Sequence, residues 1–280
     1  MTAMRRAREL IGVIPAAGRG TRLGPLPMSK ELYPIAVHLG DRTTDRRVRV
    51  ASEYLIEALR QGGARKAFIV LRPGKWDIPA FLGDGSSLRM PLAYLTVHVP
   101  FGVPFSLDQA FPFIENANIL LGFPDILFMP TSAFLTLIDE LKARPADVVL
   151  GLFRTDEPYR VGVVDFSPQG WVNRIHEKSQ VTHLEYMWAI AAWKPAFTAF
   201  LHQAVQHRLA AIPRSTLNGN FDSNSDYSEL SLSDVMQEAI TEGLRIAAYC
   251  IKGGRYIDIG TPESLAKAVS PANCWTLAAK

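Results

Sequence analysis

The sequence predicts an α/β protein: a mostly parallel mixed sheet flanked by helices, with an antiparallel insertion in its second half. Three observations carry that expectation. Short apolar runs ending on glycine or proline alternate with stretches of helical spacing along the first half of the chain. Two of those runs, "LIGVIPAA" and "KAFIVLRP", bracket one amphipathic segment, and a right-handed crossover through it makes them parallel members of one sheet. Finally, "VGVVDFSPQGWVNRIHEK" alternates on both sides of a turn at Pro168 and Gly170, which is the pattern of a hairpin.

Each element has its own signal. "LIGVIPAA" (10–17) is a continuous apolar run, as expected of a buried strand, and Gly18 ends it. The charges of "HLGDRTTDRRVR" (38–49) predict an exposed loop. In "ASEYLIEALRQGG" (51–63) Leu55, Ile56 and Leu59 share one helical face, and two glycines terminate it. "KAFIVLRP" (66–73) and "LAYLTVHVP" (92–100) read as strands, and "SLDQAFPFI" (106–114) as a helix cut short by Pro112. "ANILLGFPDILFMP" (117–130) reads as one apolar strand carrying a solitary aspartate. A helix (132–143), a strand (147–154), the hairpin (161–178), an apolar strand (185–195) and a helix (196–212) follow. Residues 213–233 form the one polar, turn-rich stretch and read as a loop. The spacing then predicts a helix over 233–243 capped by Ser233, strands at 245–251 and 254–260, and a last helix capped by Thr261 with Pro262 at its first position.

Bulk properties exclude several function classes. At 48% hydrophobic and 20% charged residues, the chain has the composition of a soluble globular protein. A net charge of +3 over 280 residues is too mild for a nucleic-acid or membrane-surface binder, so any important positive charge is local. Cys250 and Cys274 are the only cysteines, which rules out a disulfide framework and suits a reducing cytoplasm. None of the six histidines falls in an H-x-x-x-H or H-E-x-x-H spacing, so a zinc site is not expected. The basic start "MTAMRRAREL" is followed by too short an apolar run for a signal peptide or a membrane span.

The chemistry concentrates after the first strand, in "GVIPAAGRGTRLGPLPMSKELYPI" (12–35). Ala16, Ala17, Gly18 and Gly20 are small enough for backbone N–H groups to approach a ligand, and a concave row of amides suits phosphate oxygens. Arg22 adds a forked, permanent cation and Lys30 a flexible one. The spacing is neither G-x-G-x-x-G nor G-x-x-x-x-G-K-[ST], so the physics alone fits an anion site and a plain turn equally. Asp125 at a strand end is ambiguous in the same way, since one aspartate there also serves as a turn former or helix cap. Asp258, in "GRYIDIGTPESL", is a second carboxylate at a strand end, and two such groups suit Mg²⁺, which takes one or two carboxylates plus phosphate oxygens and waters.

"PAAGRGTRLGPLPMSKELYPI" closely resembles the signature of the sugar-phosphate nucleotidyltransferases, the family of glucose-1-phosphate thymidylyltransferase and uridylyltransferase. Its segment between Arg22 and Lys30 is a little shorter than the usual one. "SLDQAF" (106–111) is similar to the family's G-L-A-Q-A, with Ser106 in place of glycine. "LGFPDILF" is similar to its L-G-D-x-x-F, with Phe123 and Pro124 inserted, and "GRYIDIGTPESL" to its W-x-D-T-G-T-x-x-S-L. "VGVVDF…HEKS" resembles its Y-G-V-V hairpin ending in E-K-P, whereas "YMWAIAAW" (186–193) departs from the small-residue stretch usual there.

The resemblance implies a single Rossmann-like domain over 1–280, with a nucleotide-binding half at about 10–150 and a sugar-binding half at about 151–270. It implies Mg²⁺-dependent transfer of a nucleotidyl group from a nucleoside triphosphate, UTP or dTTP before others, to a sugar 1-phosphate. Arg22 would hold the leaving pyrophosphate, Lys30 the α-phosphate, and Ala16, Ala17, Gly18, Gly20 and Thr21 the rest of the nucleotide phosphates. Gln109 would read the base, since an amide donates and accepts together. Asp125 and Asp258 would bind the metal. Gly162, Glu177 and Trp188 would line the sugar, and Lys178 would neutralise its phosphate. The altered 186–193 strand leaves open a guanylyl or cytidylyl donor with a cyclitol or deoxysugar phosphate. The shortened loop and the Phe123–Pro124 insertion leave open a binding or regulatory protein without turnover. The loop 213–233 either covers the sugar or meets a second copy in a homo-oligomer.

Overall fold

The computed structural model describes residues 8–38, 47–99, 101–177, 183–212 and 229–270. Strand β1 (Leu10–Pro15) lies at the centre of a nine-stranded sheet, between β4 (Ala67–Leu71) and β6 (Asn118–Gly122), parallel to both. The hairpin arms β2 (Pro34–His38) and β3 (Arg47–Val50) and helix α1 (Ala51–Gln61) separate β1 from β4. Beyond β4 comes β5 (Leu92–Thr96), again parallel. On the other side of β6 lies β11 (Tyr186–Trp193), antiparallel to β6, to β8 (Val148–Arg154) and to β9 (Gly162–Phe166). Strand β10 (Val172–Glu177) pairs with β9, and β12 (Ile246–Cys250) runs parallel to β8. Thus β1, β4, β5, β6, β8, β9 and β12 point one way, and only β10 and β11 point the other. This is the mostly parallel mixed sheet that the alternation of runs predicts.

The strands are apolar on both faces because helices cover both. Along β1, Ile14 enters a first core and Ile11 and Val13 a second; along β6, Leu120 divides from Ile119 and Leu121 in the same way. Helices α1 and α5 (Ala133–Ala143) pack on the first side through Leu55, Leu59, Phe134 and Leu137. The second side is covered by α3 (Val103–Asp108), α4 (Phe111–Ile114), α6 (Pro195–Ala210) and α7 (Leu232–Thr241), through Phe105, Ile114, Phe197 and Val235. Short α2 (Asp77–Leu82) follows β4. Among the described residues no helix is long and apolar enough to cross a membrane.

Four local expectations change. The run 117–130 is two strands, because Pro124 has no N–H to donate and the chain leaves the main sheet at Phe123. After that break, β7 (Ile126–Met129) pairs with β13 (Arg255–Asp258) in a separate ribbon. The charged stretch 38–49 contributes a strand, β3, whose Val48 and Val50 continue a period of two; residues 39–46 lie outside the described part. The helix expected over 106–114 starts earlier, at Val103, and splits at Gln109 and Ala110. Helix α7 is capped by Ser231 rather than Ser233: Ser231 Oγ accepts from Asp234 N at 3.0 Å, and the Asp234 carboxylate accepts in return from Ser231 N at 3.2 Å. Helix α8 (Pro262–Val269) starts at Thr261 as expected.

Candidate active site

The chain passes from β1 through β4 and β5 on one side, then returns to β6 on the other. The carboxyl ends of β1 and β6 therefore flank a topological switch point, where open α/β sheets bind ligands. A cleft of about 810 Å³ opens there. Its wall includes Ala17, Gly18, Gly20, Thr21 and Arg22 from the loop after β1, Lys30, Arg72 after β4, and Asp125 after β6.

Ala16 is not part of that wall. It is buried and its N–H donates to the Val70 carbonyl at 2.8 Å, extending the sheet by one bond. The amides free to face a ligand begin at the next residue: the N–H groups of Ala17, Gly18, Arg19 and Gly20 meet no acceptor among the described residues. Gly20 turns the chain at φ +68°, a conformation that a side chain would strain. Arg22 follows in a single 3-10 turn (Thr21–Leu23) and Lys30 in another (Lys30–Leu32).

The ribbon of β7 and β13 brings the two aspartates together. Asp258 is paired opposite Ile126, and Ile259 N donates to the Asp125 carbonyl at 2.9 Å. Each carboxylate already faces one cation. Lys30 Nζ lies 2.5 Å from Asp125 Oδ2, both side chains largely buried, whereas Arg22 Nη2 stands 3.6 Å from Asp258 Oδ2 and is mostly exposed. The second contact is long and solvent-screened, and contributes little to stability. Burial pushes the Asp258 carboxyl above its usual range, and the negative Asp125 nearby pushes it further. The Gly260 N–H, donating to Asp258 Oδ1 at 2.7 Å, and the charges of Arg22 and Lys30 offset this only in part. For Lys30, burial alone would lower the ammonium pKa, but attraction to and hydrogen bonding with Asp125 raise it overall.

These residues fit a divalent cation. Two carboxylates, one of them held above its usual pKa by burial and by the other's charge, gain from a positive ion between them. Among the described residues no set of three or more His, Cys, Asp or Glu gathers, so phosphate oxygens and water would complete the shell.

Behind Lys30 lies a buried ion pair. Lys75 Nζ donates to Glu31 Oε1 at 2.6 Å, and Glu31 Oε2 is buried without a partner among the described residues. Burial drives the Lys75 pKa down, Glu31 opposes that shift, and the nearby charges of Lys30 and Arg72 reinforce it.

A second group of predicted residues gathers around β9 and β11. A Cβ on Gly162 would stand 2.9 Å from Glu177 Oε1 and 3.1 Å from Trp188 Nε1, so only glycine leaves room for both. Ser233 ties them together: Trp188 Nε1 donates to Ser233 Oγ at 3.1 Å, and Ser233 Oγ donates to Glu177 Oε1. Trp188 is 7% exposed and meets the cleft through Phe123, whose ring centroid is 5.6 Å away. Gln109 closes α3, with Nε2 3.4 Å from the Phe105 carbonyl; Ser106 and Val103 of that helix line the cleft and Gln109 does not. Lys178 lies outside the described residues.

Sequence reasoning missed Arg72, Arg160, Phe123, Ser233 and the Glu31–Lys75 pair. Arg72 had a readable signal, a cation just past an apolar strand in "FIVLRPGKW". Ser233 had none, because it was read as a helix cap at the end of a polar loop.

Comparison with known proteins identifies the family. The family model described as Nucleotidyl transferase matches residues 11–273. A glucose-1-phosphate thymidylyltransferase from Neisseria gonorrhoeae is 28% identical over 264 residues, covering 92% of this chain and 81% of the relative. The low-salt glycan biosynthesis nucleotidyltransferase Agl11 of Haloferax volcanii is 22% identical over 262 residues, covering 92% of this chain and 64% of its own. In fold, the chain superposes on a Bacillus anthracis crystal structure described under glucose-1-phosphate thymidylyltransferase and solved with sucrose. The TM-score is 0.75, with 19% identity over 96% of this chain and 98% of the other. With the match running from β1 through the last helix, and hence across the phosphate loop and both aspartates, the chain belongs to the nucleotidyl transferase family.

Proposed function

We propose that this chain transfers a nucleotidyl group from a nucleoside triphosphate, UTP or dTTP, to a sugar 1-phosphate, with Mg²⁺ as cofactor. The observation that carries the reading is the pairing of β7 with β13. It sets Asp125 and Asp258 side by side, against Lys30 and Arg22 and beneath a row of free amides.

A sugar phosphate oxygen attacks the α-phosphorus in line, the bond from that phosphorus to the bridging oxygen of the β-phosphate breaks, and pyrophosphate leaves with the electron pair. No covalent nucleophile is needed from the protein, whose task is positioning and charge neutralisation. Bound Mg²⁺ would supply positive charge between the two anionic substrates, held by Asp125 and Asp258. The amides of residues 17–20 receive phosphate oxygens, and Arg22 faces the departing pyrophosphate. Lys30 exchanges its present partner Asp125 for the α-phosphate. Gln109 lies outside the cleft wall, so to meet the edge of uracil or thymine its side chain would have to leave the Phe105 carbonyl and turn past Ser106 into the cleft. On the acceptor side, Glu177 has its Oε1 held by Ser233, which leaves Oε2 to accept from a sugar hydroxyl, and Lys178 screens the sugar phosphate.

The test is a panel of nucleoside triphosphates crossed with sugar 1-phosphates in MgCl₂, read by pyrophosphate release. UTP or dTTP with a hexose 1-phosphate should give the highest kcat/KM. Best turnover with GTP or CTP would overturn the donor assignment, and no release across the panel would overturn the transfer reading itself.

A further inference from the structure

Among the described residues, six Lys and Arg side chains line the cleft or the smaller cavity beside it: Arg19, Arg22, Lys30, Arg72, Lys75 and Arg160. Four have carboxylates of their own, namely Arg22 with Asp258, Lys30 with Asp125, Lys75 with Glu31 and Arg160 with Glu157. Arg19 and Arg72 have no ion-pair or side-chain hydrogen-bond partner among the described residues, and the Arg72 Nε–H is fully buried without an acceptor. An unpaired buried donor on a charged group is costly, and an oxyanion would remove that cost.

The position of Arg72 adds to this. It is the first residue after β4, beside the strand that feeds the phosphate loop, on a turn that continues through Pro73 and Gly74. The cavity beside the loop measures about 460 Å³ and shares Arg19, Gly20, Lys30 and Arg72 with the main cleft, so the two adjoin along those residues. One acid, Asp77, also lines it, but that carboxylate accepts from Ser29 N at 2.6 Å and Ser29 Oγ at 2.7 Å, which fixes the outer arm of the loop. Lys75 and Arg72 line the same cavity, and the Arg72 charge adds to the lowering of the Lys75 pKa that burial begins.

We propose that this cavity is a pyrophosphate subsite, in which Arg72 grips the terminal phosphates of the bound triphosphate through its guanidinium fork. Arg19 flanks the same anion from the phosphate loop, and the leaving pyrophosphate stays between them before release. The inference rests on the transfer reading above and assigns a residue to the leaving-group side that the phosphate-loop signature does not contain. A fork at this place distinguishes triphosphate from monophosphate, because it lies beyond the α-phosphate position faced by Lys30.

The experiment uses the full chain, Arg72→Met and Arg72→Lys, with inorganic pyrophosphate as probe. Direct calorimetric titration should show pyrophosphate binding weakened about 10- to 100-fold in Arg72→Met, the loss expected for a charge-assisted hydrogen bond. Arg72→Lys, which keeps the charge without the fork, should fall between. In the reverse reaction, KM for pyrophosphate should rise by the same factor while KM for the nucleotide sugar holds. Pyrophosphate binding by Arg72→Met equal to that of the parent chain would overturn the subsite. If Arg72→Met does not fold, Arg72→Lys decides, and an unchanged pyrophosphate KM overturns it. Arg72-dependent pyrophosphate binding without any turnover across the substrate panel would leave the subsite standing and remove the transfer reading. Turnover with no effect at Arg72 does the reverse.

Discussion

The two ends of the candidate site are built on opposite plans. At the charged end the described residues leave amides without acceptors, Arg22 exposed, and cations held in place by single carboxylates. At the packed end, behind the cleft wall at Phe123, buried Trp188 and Ser233 form a hydrogen-bonded network with the exposed Glu177 beside Gly162, and Phe123 rests on the indole. The first surface has charge awaiting a partner, and its order comes with the ligand. The second already has its hydrogen bonds made and presents a shape. Under the proposed function, specificity for the acceptor would rest on packing, and affinity for the donor on electrostatics. Replacing one end should leave the other's kinetic constants alone.

The largest effects are expected at the charged end. Lys75→Met leaves the Glu31 carboxylate buried with both oxygens unpaired, and should cost about 3–5 kcal/mol of stability in chemical denaturation. Asp258→Asn should lower kcat in MgCl₂ about 100- to 1,000-fold, by analogy with the loss of one preorganised electrostatic group. The same variant should be more thermostable than the parent in the absence of divalent cations at neutral pH. Folding raises the Asp258 pKa, so the folded chain binds that proton more tightly than the unfolded one. The resulting stability is fully present below the unfolded value near 3.8 and is lost as pH rises through the folded value. At neutral pH the ionised carboxylate is thus a net cost that asparagine removes. A melting temperature that falls in Asp258→Asn without metal would break this account.

Smaller changes are expected at the packed end. Ser233→Ala removes the group linking Trp188 and Glu177, and should destabilise by about 1–3 kcal/mol, as for a buried donor left unpaired. It should also raise KM for the sugar phosphate and leave that for the nucleotide unchanged. Gly162→Ala forces the Glu177 carboxylate aside from 2.9 Å, and a several-fold rise in the acceptor KM should follow, about 1 kcal/mol or less in binding. Equal changes in both KM values would dissolve the distinction between the two ends.

The first half of the sheet was legible in the sequence because β1 and β4 are joined by a regular crossover, and the apolar runs state where the strands are. The separate ribbon was not, because apolar residues on both sides of Phe123–Pro124 read as one strand; only the partner β13 reveals a second sheet. Within the site, Arg22, Lys30, Asp125 and Asp258 could be named from motif and resemblance. The withdrawal of Ala16 into the sheet could not, since it depends on a hydrogen bond to Val70. Ser233 was invisible for a similar reason. Its hydroxyl matters through Trp188 and Glu177, which stand 45 and 56 residues away in the chain.

The β7–β13 ribbon also bears on how the protein assembles. Asp258 lies 133 residues beyond Asp125 (258 − 125), and it reaches its place through a strand that belongs to neither half of the main sheet. Closing so long a loop carries an entropic penalty that local strand–helix units avoid, and long-range pairings of this kind slow folding. The last strand of the nine-stranded sheet ends at Cys250, before the ribbon's second strand begins. Secondary structure can therefore be complete while the carboxylate pair is still open. Recovery of activity after refolding should lag recovery of the far-ultraviolet circular dichroism signal, which makes the ribbon a latch on function rather than a pillar of the fold.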